Sequence, residues 1–501
     1  MPKNIFQKSF DLLLKQQTNI LSAAFIIMVT VVLSQLLGWF RQRELVSIFG
    51  ASNILGVYLA SSRLPDFLFQ LIIAGTLSSA FIPVFSDYLV KGKEKEGYVF
   101  ASTLLALGIG IFIILSLLLV IFADWFCYLL APGFSTSQIA LMANLMRVII
   151  VGELLFIVAS FFSAVLQSYN HFFIPGIAAA TYNLGIIIGI WTLSHWLGIY
   201  APAVGVIIGA AIFVVIQIPF VRKVGYSFHL AALKDVSGIK EVFYLMWPRT
   251  LSLAIFQVGT LLTVTLVSFL ADPGRSYVIF DYAQTLAFAP VALFGQTIAQ
   301  AAFPVLSRQR ENKDEFKLTF LTSLSQMLYL VLPISVLFLV LRIPIVRLAY
   351  GASQFDWPAT VLTGRVLGLF AISMFAQALI YLVSRAFYAL YDTMTPLIIG
   401  AISTVVMLGL AAIFVFMSHL GIGSIAVAYS IGSIFQFILL FILLHYKTGG
   451  FRKAYIFVSF SKIFIATFFT GFALYIPLKL LDKLVFDTTH TINLIILTGI
   501  T

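Results

Sequence analysis

Residues 45–87 read LVSIFGASNILGVYLASSRLPDFLFQLIIAGTLSSAFIPVFSD, and residues 266–308 read LVSFLADPGRSYVIFDYAQTLAFAPVALFGQTIAQAAFPVLSR. The two 43-residue stretches align without a gap, 221 positions apart. Their identities cluster. Leu45-Val46-Ser47 recurs as Leu266-Val267-Ser268, and Thr76, Ala80, Pro83, Val84 and Ser86 recur as Thr297, Ala301, Pro304, Val305 and Ser307. Apolar composition produces scattered matches, not a repeated Pro-Val-x-Ser. At the same offset Ser163 and Pro175 meet Ser384 and Pro396. The chain therefore reads as two fused copies of one unit, a design that transporters use to alternate access around a site between halves.

The surroundings of the repeat place it in a membrane. Apolar residues make up 61% of the chain and charged residues 10%, and the mean hydropathy is +1.06, far from a soluble average. Runs of about 20 apolar residues cross the hydrocarbon core as helices. The expected spans of the first copy are Ile20–Phe40, Leu55–Phe85, Val99–Phe122, Leu145–Leu166, Ile174–Trp196 and Ala203–Val221. Those of the second are Tyr244–Leu270, Val278–Leu306, Phe320–Leu341, Val361–Ala389, Pro396–Met417 and Ile422–Leu444. Six spans return the chain to its starting side, so the copies run parallel and their pseudo-two-fold axis lies along the membrane normal. A thirteenth span follows at Ile456–Leu478, and residues 492–501 read as the opening of a fourteenth that stops short. The expectation is an all-α polytopic protein with a segment at 1–19, lobes at 20–225 and 226–446, and a C-terminal part at 447–501.

Lysine and arginine set the orientation. Seventeen of them, including Lys3, Lys8, Lys15, Lys91, Lys93, Lys95, Arg222, Lys223, Arg308 and Arg310, collect on one side. Six, Arg41, Arg43, Arg275, Arg342, Arg347 and Lys483, fall on the other. The N-terminus is thus expected in the cytoplasm, and the net charge of +11 follows from this topology rather than from nucleic-acid binding, for which no basic groove with interleaved aromatics is visible. The first apolar run is about as long as a full span and lacks a small-x-small cleavage site, so it reads as a retained helix and not a signal peptide. Phe6, Phe10, Leu13 and Leu14, interleaved with Lys8 and Lys15, suggest an interfacial helix before it.

Several chemistries are excluded. Cys127 is the single cysteine, which rules out an internal disulfide, a CxxC pair and a cysteine-rich metal site. Six histidines fall singly, and neither HExxH, GxxxxGK[ST] nor a strand-coupled GxGxxG occurs. Catalysis and a resident cofactor are not expected. What remains is transport, coupled to the membrane potential, to a monovalent cation or to the substrate gradient.

Charges inside spans carry the information, because each costs roughly 2.5 to 3.5 kcal/mol at a helix centre unless it faces protein or water. Arg41 and Arg43 are expected just after the first span, Arg63 inside the second, Arg147 and Glu153 in the fourth, Asp281 at the start of the eighth, and Arg365 and Arg385 in the tenth. Most of the set is cationic. A water-filled cavity lined by guanidinium groups attracts phosphate, since arginine presents a planar fork of donors. The competing reading is that arginines near span ends snorkel or pair locally. Arg63 stands out, because Leu64-Pro65 follows it and proline inside a span loosens the helix. Glu153, Asp281 and Asp392 are the candidates for cation coupling. Pro65, Pro83, Pro290 and Pro304, with Gly38, Gly75 and Gly295, concentrate helix breakers in the duplicated segment.

Ser34-Gln35-Leu36-Leu37-Gly38-Trp39-Phe40-Arg41, Ile48-Phe49-Gly50-Ala51, Arg63-Leu64-Pro65 and Ala80-Phe81-Ile82-Pro83 resemble the first two helices of the MurJ (MviN) family of bacterial lipid II flippases. Ala131-Pro132-Gly133-Phe134, Asn170 with Ile174-Pro175, residues 343–348 and the run from Arg385 to Pro396 are similar to further motifs of that family, in order, over almost the whole chain. The resemblance implies two six-helix lobes of the multidrug and oligosaccharidyl-lipid exporter type. It also implies two extra helices that help form a groove for a lipid tail, and a cationic cavity for a diphosphate-linked head. The implied substrate is lipid II or a related polyprenyl-diphosphate glycolipid, moved between leaflets of the bacterial cytoplasmic membrane. Membrane lipids and cell-wall synthesis machinery are the implied partners.

Within that resemblance Arg41 matches a cavity arginine, and Arg63 falls where the family often has lysine. Gln35, Phe69 and Thr285 stand where further cavity arginines are found, and Ala74 stands at an acidic position. Compensation by Arg63, Arg43, Arg365 and Arg385 is one reading, and different headgroup chemistry is the other. An exporter of cationic drugs would show acidic cavity residues instead.

Overall fold

The computed structural model describes residues 20–76, 81–229, 239–352, 354–417, 421–451 and 453–484. Among the described residues every regular element is helical. Nine helices there are long and apolar enough to cross a membrane, ten when one bent pair counts as a single span. The chain divides into two compact units, one of Met1–Leu45 and Val57–Leu261, the other of Val46–Gly56 and Leu262–Thr501. The expected interfacial helix before residue 20 and the short fourteenth span lie outside the described residues.

Helix α1 spans Ile20–Phe49 without a break. Its apolar run thins at Phe40, but nothing between there and Phe49 interrupts the backbone hydrogen bonds. The helix stops at Gly50, whose φ of 64° is the left-handed conformation that glycine adopts at helix ends. Arg41 and Arg43 therefore follow the apolar run but continue the same unbroken helix. The second expected span is interrupted at Ser62, between α2 at Asn53–Ser61 and α3 at Arg63–Thr76, and the described residues resume with α4 at Ile82–Val90. The break at Ser62 places Pro65 in the first turn of α3, where its missing N–H goes unneeded. Asp66 N donates to Ser62 O at 2.9 Å, and the Asp66 carboxylate in that first turn complements the helix dipole.

The rest of the first unit is α5 (Glu94–Ile121), α6 (Ala123–Leu130), α7 (Thr136–Ser168), α8 (Phe173–Leu197) and α9 (Tyr200–Lys223). A capping box starts α7: the Ser135 hydroxyl accepts from Gln138 N, and the Gln138 side chain accepts from Ser135 N. Helices α8 and α9 touch backbone to backbone. A Cβ on Gly185 would lie 2.2 Å from Gly209 Cα, and one on Gly189 would lie 2.6 Å from Ala201 O, so only glycine permits this approach, as in small-xxx-small membrane pairs.

Beyond α10 (Ile239–Ser268), the second unit holds α11 (Pro273–Pro290), a π-helical stretch at Val291–Gln296, α12 (Thr297–Arg308), α13 (Lys313–Val340) and α14 (Arg342–Tyr350). These are followed by α15 (Trp357–Ala371), α16 (Met374–Ala389), α17 (Met394–Met417), α18 (Gly423–Lys447) and α19 (Lys453–Leu484). The π stretch begins directly after Pro290, which cannot donate its share of the helical ladder. The positions of α11 equivalent to the Ser62 break run on as uninterrupted helix. The tenth expected span is α15 and α16, bent by 42° at Ile372 and Ser373. There the Ser373 hydroxyl donates to Phe370 O at 3.1 Å and shares a 3.0 Å hydrogen bond with Ser430.

Candidate functional site

The first unit holds a group of charged and phenolic side chains in an otherwise apolar bundle, Tyr58 and Glu153 buried and Arg41, Asp66 and Tyr182 half-buried. Arg41 comes from α1, Tyr58 from α2, Asp66 from α3, Glu153 from α7 and Tyr182 from α8. The Arg41 guanidinium lies over the Tyr182 ring, 5.4 Å from its centroid, a cation–π contact that holds the group in place without consuming its N–H donors. Arg41 Nε is buried and has no hydrogen-bond partner. Tyr182 packs at 5.2 Å against Phe156, which is in turn 5.9 Å from Phe213 and 6.4 Å from Phe69.

Electrostatics tie the group together. Asp66 acts on Tyr58, Glu153 and Tyr182, and Arg41 acts on Tyr58 and Tyr182. Glu153 is only 3% exposed. Beside the cluster, Asn183 on α8 donates to Ser34 O of α1 at 3.0 Å, fixing the helix that carries Tyr182 against the helix that carries Arg41. Trp191 Nε1 donates to Glu44 at 2.8 Å and its ring meets Phe40 edge-on. These contacts orient the part of α1 that presents the arginine.

The other expected site residues fall as follows. Gln35 is exposed on α1, and Arg43 stacks over Trp39 on the same helix at 5.9 Å, the local pairing that competes with a cavity role. Arg63 opens α3, half-buried, one turn from Asp66. Arg365 and Arg385 do not share a location. One is exposed on α15, and the other is half-buried on α16 with its guanidinium 5.3 Å from the Phe303 ring. The 20 positions between them correspond to about 30 Å of helix rise. Asp281 is not at the start of its helix, since α11 begins at Pro273.

Asp392 is a cap and an ion-pair partner. Its carboxylate accepts from Thr395 N at 2.9 Å, from the Thr395 hydroxyl at 2.7 Å and from Lys447. Burial opposes its ionisation, yet these hydrogen bonds win and hold it at about 2. That carboxylate is committed to the helix end and to the Lys447 pair. Arg147 is likewise satisfied locally, bonded to Asp124 at 3.1 Å and Asn144 at 2.8 Å.

Reading the sequence missed Asp66, Tyr58 and Tyr182. The signal for Asp66 was present, an acid directly after the proline of a broken span. The tyrosines carry no such mark, because aromatic residues in membrane helices are ordinary. Chemically, the cluster offers guanidinium donors toward an anion and carboxylates that can bind a cation.

The chain is similar throughout to one group of proteins. The family model described as "Lipid II flippase MurJ" matches residues 45–494. A probable lipid II flippase MurJ of Buchnera aphidicola subsp. Schizaphis graminum is 26% identical over 474 residues, 91% of this chain and 90% of that protein. The Thermotoga maritima protein of the same description is 28% identical over 412 residues, covering 81% and 82%. The lipid II flippase MurJ of Burkholderia cenocepacia is 26% identical over 429 residues, covering 82% and 81%. Among solved structures, an inward closed conformation of lipid II flippase MurJ superposes with a TM-score of 0.79 at 22% identity over 95% of this chain and 96% of that one. An inward-facing multidrug transporter of the MATE family gives 0.67 at 14% identity, over 84% and 98%; at these identities the two structures speak for the fold.

Proposed function

Since the chain belongs to the MurJ family of lipid II flippases, we propose that it carries lipid II from the inner to the outer leaflet of a bacterial cytoplasmic membrane, and that Arg41 receives the diphosphate. The observation that carries this assignment is the Arg41 guanidinium, held over Tyr182 within a membrane helix with its Nε buried and unpartnered. A buried donor without an acceptor costs about 1–3 kcal/mol, and a phosphate oxygen removes that cost. Arg63, at the broken second span, is the candidate for a second contact to the head.

The rest of the reading follows from flipping itself. A polar head needs a hydrated or donor-lined path, and the tail stays in lipid. Alternating access of the two copies supplies that path, with the N-terminus on the cytoplasmic side as the loop lysines indicate. The membrane potential or a monovalent cation drives the cycle, and cell-wall synthesis enzymes receive the product.

The test is complementation of a bacterium depleted of its own lipid II flippase, with wild type and Arg41→Ala at matched membrane levels. Rescue by the wild type and not by the variant is expected. Equal rescue by both removes Arg41 from the site, and failure of a well-expressed wild type removes lipid II as the substrate.

A further inference from the structure

Helix α11, the π-helical stretch and α12 together make one span, Pro273–Arg308, and Thr285 and Gln296 bound its middle third. Thr285, Thr297 and Gln300 are exposed along it, and Gln296 is half-buried. A lipid-facing surface does not look like this. The exposed side chains of α17, another span of the same unit, are apolar, with Ile398, Ile402, Val405, Ile413 and Phe416 in a row. An amide is costly in hydrocarbon, so the polar side of α12 faces water or a polar ligand.

The backbone is shaped around this place. A π-helical turn holds one residue more than an α-helical one and swings the side chains beyond it by about 100°. The stretch Val291–Gln296 ends at Gln296 and lies against α16, where a Cβ on Gly295 would come 2.9 Å from Ala378 Cα. Three residues after Ala378, Tyr381 is 36% exposed, and Gln296 Nε2 donates to its OH at 3.1 Å. The Ser373–Ser430 bond of the same unit is buried, whereas the Gln296–Tyr381 bond is open. Among the described residues Gln296 Oε1 and the Tyr381 O–H have no further partner. Four residues on from each, Gln300 on α12 and Arg385 on α16 continue the seam, with the Arg385 guanidinium over the Phe303 ring.

We propose that the seam between α12 and α16 is a carbohydrate-binding surface, in which Gln296 and Tyr381 take hydroxyl or N-acyl groups of the sugar in the transported head. An amide offers both donors and an acceptor, and a phenol offers one of each. A sugar hydroxyl likewise donates and accepts. Neither group draws a diphosphate as a guanidinium does. A site that meets a hydroxyl with neutral hydrogen bonds discriminates against a ligand lacking it. The inference rests on the flippase reading for a head that carries sugar, and gives the second unit the uncharged part of that head.

The experiment compares two probes on the purified full chain in nanodiscs. One is farnesyl diphosphate capped with a methyl group, and the other is the same diphosphate capped with N-acetylglucosamine, so both carry the same charge. Wild type, Gln296→Leu and Tyr381→Phe are each first shown to be monodisperse. The readout is the ratio of the two affinities, in which changes in the handling of tail and diphosphate cancel. The wild type should prefer the sugar-bearing probe, and each variant should lower that preference about three- to tenfold, the weight of one neutral hydrogen bond. Tyr381→Phe deletes only a hydroxyl and keeps the ring, so misfolding does not explain its loss. A wild type that binds both probes equally overturns the proposal. So do variants that keep the wild-type preference, including any that weaken both probes in step, the mark of a packing role. A wild type that binds neither probe overturns the flippase reading itself, a result distinct from the other two.

Discussion

Ser163 Oγ donates to Gln217 Oε1 at 2.9 Å, and the fully buried Gln217 amide in turn donates to Ala159 O at 2.9 Å and Phe213 O at 3.1 Å. One side chain thus saturates its donors and acceptor between α7 and α9, in a region where lipid tails offer no substitute partner. Gln217→Leu leaves the Ser163 hydroxyl without its acceptor and should cost about 1–2 kcal/mol. Adding Ser163→Ala should recover part of that loss, as a double-mutant cycle of thermal unfolding in detergent will report.

The α8–α9 contact makes a sharper prediction. Gly185→Val would drive its side chain into the Gly209 backbone, already 2.2 Å from an added Cβ. The helices must separate, at a cost of about 3 kcal/mol or more. Loss of a monodisperse peak on size-exclusion chromatography checks it, and Gly110→Ala, where an added Cβ meets nothing within 4 Å, serves as the tolerant control.

At Arg41 the charge alone is not enough. Lysine keeps the charge but lacks the planar fork that both stacks on Tyr182 and reaches an anion. Arg41→Lys should therefore lose most of the complementing activity, and Arg147→Ala should keep it. The Arg147–Asp124 pair is substantially exposed and should contribute no more than about 1 kcal/mol to stability.

Asp392 sets a pH limit. Its carboxyl is held at about 2 against roughly 3.9 in an unfolded chain. A depressed carboxylate contributes stability that is complete above the unfolded value and disappears as pH falls through the folded one. The Thr395 cap and Lys447 pair should thus be constant from neutral pH down to about 4 and be lost toward 2. Asp392→Asn should lower the melting temperature at pH 7 and have little effect at pH 2, the opposite of what a coupling residue would show.

The duplication and the spans were legible because they are written in length and in repeated order: a bilayer demands about 20 apolar residues in a row, and a 221-position offset needs no structure to be seen. Pro65 announced the break that the structure places at Ser62. The true end of α1 was hidden, since apolarity reports the hydrocarbon boundary while backbone hydrogen bonding continues to Phe49. The site was half legible. Glu153 stands out as a charge in a span and Arg41 as one at a span's end, but their company depends on which faces α2, α3 and α8 turn toward α1 and α7. Of these helices only α3 is clearly amphipathic, and the other four, apolar nearly all round, do not disclose that. The separation of Arg365 from Arg385 was legible in their 20-position spacing, whereas the bend at Ile372 and Ser373 was not.

The proline near the end of the duplicated segment survives in both copies, as Pro83 and Pro304, yet the irregularities have parted company. The first copy has an interruption at Ser62; the second has a widened turn at Val291–Gln296. The two halves are therefore no longer interchangeable parts. A chimera carrying residues 273–308 in place of 52–87 would run helix through the Ser62 break and would put Ala287 where Asp66 stands. Inheritance gave the protein one blueprint twice, and only one of the two printings has kept room for this cluster.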